Sequence, residues 1–269
     1  MRSNKPAPKA HPVLVVASPG GSVRQQRRQA IFIVVVLLCV TAGQVFAKFH
    51  GSGPTSTSTQ EQIDTSNFPI VDSTATLPTD PNERAQRDRK NKKYNSRTAA
   101  PIRESDQIYA FTDWELGLPA LPVAKCAVIV IGEVSTAQAF LSEDKSAVYC
   151  EFGVRIDEVL KTETRFPVIS GGVLPVERMG GRVRFPSGKL AVSIIDKQDM
   201  PRIGGRYVLF LVHRFSSETE DFYILTGYEL RSGRVSLLDR ITSGPMAAYR
   251  GTDEVSFLRD LRIAIANSP

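Results

Sequence analysis

Ala147-Val148-Tyr149-Cys150-Glu151-Phe152-Gly153-Val154-Arg155-Ile156-Asp157-Glu158-Val159-Leu160-Lys161 alternates in character at nearly every step. Val148, Cys150, Phe152, Val154 and Ile156 fall on one side, while Tyr149, Glu151, Arg155 and Asp157 fall on the other. A period of two predicts a long, half-buried strand. Upstream, CAVIVIGEVSTAQAF from Cys126 is rich in β-branched residues and breaks at Gly132-Glu133. The SEDK segment between the two runs predicts a turn, so they pair as a hairpin.

The pattern continues outward from this hairpin. GGVLPVERMGG and RVRFPSGKLAVSII read as shorter strands, with turns at Gly180-Gly181 and Pro186-Ser187-Gly188. PRIGGRYVLFLVHRF is another strong strand, introduced by the Gly204-Gly205 turn, and DFYILTGYELRSGRVSLLD reads as a hairpin around Ser232-Gly233. Short strands at this spacing predict a mainly β fold, a small barrel or a sandwich. From Thr252 or Asp253 onward the pattern becomes helical. Val255, Leu258, Leu261, Ile263 and Ile265 make an apolar stripe, with Asp253 and Glu254 at the favourable end of the helix dipole. This helix is expected to plug or lid the barrel. Ahead of the strands, YAFTDWELGLPALPVAK carries Pro119 and Pro122, which favour extended backbone. Its Tyr109, Phe111 and Trp114 are expected to pack on the barrel's outer side.

The chain before the β region divides in three. Residues 30–47, AIFIVVVLLCVTAGQVFA, carry no charge. As a helix they span roughly 27 Å, close to the hydrocarbon thickness of a bilayer, and no polar stripe marks a core helix. Residues 1–29 hold Arg2, Lys5, Lys9, Arg24, Arg27 and Arg28 with no acidic residue, which places this head in the cytoplasm and exports the remainder. Two readings stay open for residues 30–47. One is a permanent signal-anchor, favoured by the long head and long apolar run. The other is a signal peptide cleaved after Ala47, leaving a secreted or periplasmic product. Residues 48–104 are dominated by Ser, Thr, Pro, Asn, Gln and charge, and predict a disordered linker. The cluster Arg87, Arg89, Lys90, Lys92, Lys93 and Arg97 within it has two readings, contact with anionic lipid or wall polymer, or solvation of the linker. The expected exported domain is residues 105–269.

Charge assigns no nucleic-acid partner. Residues 105–269 carry 19 Lys and Arg against 21 Asp and Glu, so the excess behind the overall +6 sits in the head and linker. Two cysteines, Cys126 and Cys150, lie in the exported part. Each opens one strand of an antiparallel hairpin and so faces the far end of its partner, which predicts two buried free thiols.

The residues Ile129 to Val134, Tyr149 to Val154, Glu158 to Lys161 and Gly205 to Leu211 resemble those of uncharacterised exported bacterial domains. Their strand order is similar to the OB-type barrel of netrin-like and TIMP-like modules, over roughly Cys126 to Leu238. TIMP-like inhibitors use a cysteine at the mature amino terminus. Here Cys126 is internal and follows Lys125, so metalloprotease inhibition is not carried over.

Catalytic and cofactor motifs are absent from the sequence: it has no H-E-x-x-H, C-x-x-C, G-x-S-x-G, Walker A or G-x-G-x-x-G segment. No cofactor and no metal is expected. Glu133, Glu151, Asp157 and Glu158 are the strand-borne carboxylates that a hydrolase would need to pair in a cleft. His213 with Arg214 could contact a ligand or simply end a strand. Arg178, Arg182, Arg184 and Lys189 form the densest basic group, and are expected either to receive an anionic ligand or to guard an edge strand. The expected function is a membrane-anchored, non-catalytic domain that engages an envelope protein or anionic polymer. A carboxylate-dependent exported hydrolase and a structural accessory domain without ligand are the alternatives.

Overall fold

A computed structural model describes residues 63–104, 108–111, 117–164, 167–215 and 220–268. In chain order they form β1 (Ile70–Asp72), α1 (Pro81–Lys93), β2 (Ile108–Phe111), β3 (Val128–Leu141), β4 (Val148–Lys161) and β5 (Val173–Met179). There follow β6 (Gly181–Arg184), β7 (Leu190–Ile195), β8 (Arg206–Phe215), β9 (Glu220–Arg231), β10 (Arg234–Leu237) and α2 (Glu254–Ala266). The protein is mainly β, with two sheets and a C-terminal helix.

The predicted hairpin is the longest pairing, running antiparallel from Ile129 opposite Lys161 to Leu141 opposite Val148. Its turn is closed by Asp144, whose Oδ1 accepts from the Ser142 hydroxyl at 2.7 Å and from the Ser146 amide at 3.0 Å. Short polar side chains that bond nearby backbone fix turns in this way. Val148, Cys150, Phe152, Val154 and Ile156 are all buried, as the alternation predicts. The opposite side is not solvent, however. Tyr149 is fully buried, because a further element covers that face.

Five strands close on themselves. β3 pairs with β4 and β8, β8 with β9, β9 in parallel with β5, and β5 with β4. β10 extends this sheet through a tight hairpin with β9, where Ser232 and Gly233 both adopt positive φ. A second sheet runs in the order β1-β6-β7-β2. One core fills the ring with Val130, Phe152, Val154, Val176, Leu209 and Ile224. A second core lies on the other side of β3 and β8, around Ile129, Ile131, Phe210 and Tyr228. Burial on both faces explains why CAVIVI is apolar at every position rather than alternating.

Three expectations are corrected. The disordered linker does not extend to Glu104, for residues 63–104 carry β1 and α1, with Phe68, Val71, Tyr94 and Ile102 buried. Asp80 caps α1 by accepting from the Asn82 and Glu83 amides, and Pro81 takes the first turn. Second, Gly180-Gly181 is not a hairpin turn. The chain passes there from the first sheet to the second, both glycines have positive φ, and a Cβ on Gly181 would stand 2.7 Å from Val148 Cγ1. Third, α2 does not plug the ring but packs into the second core through Phe257 and Leu261. At 100° per residue these two, with Leu258 and Ile265, share one side of the helix. Val255 and Ile263 turn outward and are 76% and 53% exposed.

Cys126 and Cys150 are buried and free, as predicted from the hairpin. Residues 1–62 and 112–116, with the apolar run and Trp114, lie outside the described residues. Among the described residues no helix is long and apolar enough to cross a membrane.

The orientation of α2 yields a direct check. Phe257→Ala is expected to lower unfolding stability by about 3–5 kcal/mol, read by chemical denaturation. Val255→Ala is expected to stay within about 0.5 kcal/mol of the parent. A large loss at Val255 would contradict the observed helix face.

Candidate functional site

Glu151 and Glu177 lie directly opposite each other on β4 and β5, and Asp221 sits two residues before Tyr223, the residue opposite Glu177 on β9. Like charges across a sheet repel, so this face of the ring requires cations. They come from α1, where Arg87, Lys90 and Lys93 recur every third residue and follow one flank of the helix. The Lys90 ammonium stands 3.0 Å from Glu151 Oε1, 3.1 Å from Glu177 Oε1 and 3.1 Å from Asp221 Oδ1. Lys93 reaches Glu177 Oε2 at 2.8 Å and Asp221 Oδ2 at 2.9 Å. Arg87 donates to both Glu151 oxygens, at 2.6 and 3.1 Å, and to the Tyr149 hydroxyl.

Aromatic rings complete the contact. The Arg87 guanidinium lies 3.4 Å from the centre of the Phe140 ring, Phe140 stacks on Tyr149, and Tyr149 stacks on Tyr94 at 4.2 Å. Tyr94 also donates its hydroxyl to Glu177. Burial alone would raise the Glu151 carboxyl, but Arg87 and Lys90 outweigh it and hold the group below its ordinary 4.5. Burial likewise opposes the charge on Lys90, yet the three carboxylates raise its pKa above the usual lysine value.

Beside α1 opens a cleft of about 680 Å³. Ile70, Leu77, Phe140 and Leu141 give it apolar wall, and Arg87 and Lys145 give it positive charge. Asp72 lies in the same cleft and is held by Arg184 through contacts of 2.6 and 3.1 Å.

The basic group expected from the sequence is dispersed by the crossing at Gly180-Gly181. Arg178 is fully buried and paired with Asp239, so it is not part of any surface patch. Burial pushes the Asp239 carboxyl up against the opposing pull of Arg178, and the Thr226 hydroxyl donates to it at 2.7 Å. Arg182 donates to the carbonyl oxygens of Phe68 and Ser66. Arg184 is the member that reaches the cleft, through Asp72, while Lys189 stands exposed in the β6–β7 connection. β6 is not an edge strand, because β1 pairs along it.

Each strand carboxylate considered for catalysis is engaged by a cation. Glu133 binds Arg155 at 2.7 Å, Asp157 binds Arg206 at 3.2 Å, Glu158 binds Arg262 at 3.0 Å, and Glu151 belongs to the α1 cluster. Glu133 and Glu151 are opposite Arg155 and Gln138, and five strand residues separate them by about 17 Å. His213 meets Phe222 edge-on at 5.3 Å. Burial pushes the Cys126 thiol up to about 12, and the Cys150 thiol donates to the Gly180 carbonyl at 3.0 Å. Among the described residues no group of His, Cys, Asp and Glu is arranged to hold a metal ion.

Lys90, Lys93, Glu177 and Asp221 were not singled out as partners by sequence reasoning. The available signal was the Asp80-Pro81 cap before three cations at three-residue spacing, together with acids set into otherwise apolar strands. Comparison with known proteins finds no family model that matches the chain and no curated protein that resembles it.

Two measurements test the cluster. Lys90→Ala leaves buried acids without their shared cation and is expected to cost about 3–5 kcal/mol of stability, read by denaturant titration. The lowered Glu151 pKa means that its contribution is complete above 4.5 and disappears as pH falls through the folded value. Glu151→Gln should therefore flatten the acid limb of the stability–pH curve. An unchanged limb would assign acid lability to other groups.

Proposed function

We propose that the chain is a single-pass membrane protein, with its amino terminus in the cytoplasm, that displays a non-catalytic binding domain outside the cell membrane. Its partner is an envelope protein or an anionic envelope polymer. The cleft between β1, α1 and the far end of β3 carries this reading. Apolar wall beside fixed charge is the usual lining of a ligand site, which favours this reading over a structural domain without ligand. The ion pairing of Glu133, Glu151, Asp157 and Glu158 disfavours the carboxylate-dependent hydrolase.

The membrane assignment rests on residues 30–47 and the basic head. Fifteen residues, 48–62, connect that run to the first described residue. The closed order β3-β4-β5-β9-β8, with β5 and β9 parallel, supports the OB-type likeness. Barrels of that type commonly serve as binding platforms.

A photo-crosslinking residue in place of Leu141, in the full chain in native membranes, tests the cleft. It is expected to capture a repeatable partner that the same probe in place of Val255 does not. Identical capture at the two positions would count against the cleft as the binding site.

A further inference from the structure

α1 is an unusual element to find docked on a domain. Its sequence, PNERAQRDRKNKK, has Ala85 as its one apolar side chain apart from the first-turn proline, so no apolar stripe explains its position. The main tie is charge, three cations against three carboxylates carried by β4, β5 and β9, joined by the Tyr149 hydroxyl donating to Asn91 and by Tyr94 stacked on Tyr149 at the helix end. Lys90 is coordinated much as a bound ammonium ligand would be, by one oxygen from each of the three acids. Segments anchored to the sheets flank the helix. Upstream, the Ser73 amide donates to the Arg184 carbonyl, and downstream the Ile102 amide donates to the Lys145 carbonyl.

We propose that Glu151, Glu177 and Asp221 form a recognition site for a basic helical segment of another protein, and that α1 is its built-in occupant, a strap that a competing helix displaces. The partner's chemistry follows from the occupant. It presents Lys or Arg at three-residue spacing, with an aliphatic or aromatic group able to lie on Tyr149. This goes beyond the cleft reading and stands without it.

The energetics permit exchange. Removing one cation strands a buried carboxylate, which is costly, whereas lifting the whole strap lets both sets of charges regain water. A buried ion-pair cluster contributes little net stability relative to its fully hydrated parts, so a helix of matching charge can substitute for α1. Salt should assist opening by screening the separated charges.

The test uses the full chain in detergent micelles and a labelled peptide of residues 80–95 as the competing helix. The variant Arg87→Ala/Lys90→Ala/Lys93→Ala has a strap that no longer fits the acids. It is expected to bind the peptide at least tenfold more tightly than the parent does, and not to bind a peptide lacking the same three cations. Equal binding by parent and variant, or none by a folded variant, overturns the proposal. Should the variant fail to fold, hydrogen exchange on the parent decides. Amides of residues 84–94 are expected to exchange at least tenfold faster than those of residues 148–156, and faster still at high salt. Equal, salt-insensitive exchange in the two segments overturns the proposal.

Discussion

A single ammonium group, that of Lys90, joins three strands of the ring to the segment that precedes it. Glu151, Glu177 and Asp221 each give it one oxygen, and without it the two acids facing each other on β4 and β5 would lose the cation they share and keep only Arg87 and Lys93 respectively. The placement of α1 depends on this contact together with those of Arg87 and Lys93. Together they hold α1 against the ring, bring Arg87 over Phe140, and so form one wall of the cleft. The hydrophobic core closes the ring, but charge decides what lies over it.

Charge is also what made this region hard to read in advance. The strand pattern of Val148 to Ile156 depends on alternation alone, a local property, and the structure buries those five apolar residues as the pattern requires. The Ser232-Gly233 hairpin and the Asp253 cap are equally local. Residues 80–93 have no apolar periodicity, and a segment of that composition reads as unstructured because it brings no surface to bury. Its partners lie more than fifty residues away in sequence. An ion pair of long range leaves no periodic trace, which is why Lys90 and Lys93 read as solvated charge.

The basic residues from Arg178 to Lys189 are neighbours in sequence but not on a surface, because the chain changes sheets at Gly180-Gly181. Arg178 therefore turns into the ring to meet Asp239, whereas Arg184 reaches the cleft rim through Asp72. Two adjacent glycines signalled a special backbone without specifying that it was a crossing rather than a turn. The α2 stripe is legible as a helix, but apolarity alone also includes Val255 and Ile263, which the structure leaves exposed.

Lys90 is a structural cation held by three carboxylates. Nitrogen-detected NMR of the lysine ammonium groups addresses it directly. A caged ammonium exchanges its protons slowly and gives a resolved signal that shifts when Glu177 is changed to Gln. That outcome is predicted here. An ammonium for Lys90 that exchanges as fast as those of Lys92 and Lys189, and ignores the Glu177 change, would contradict the account.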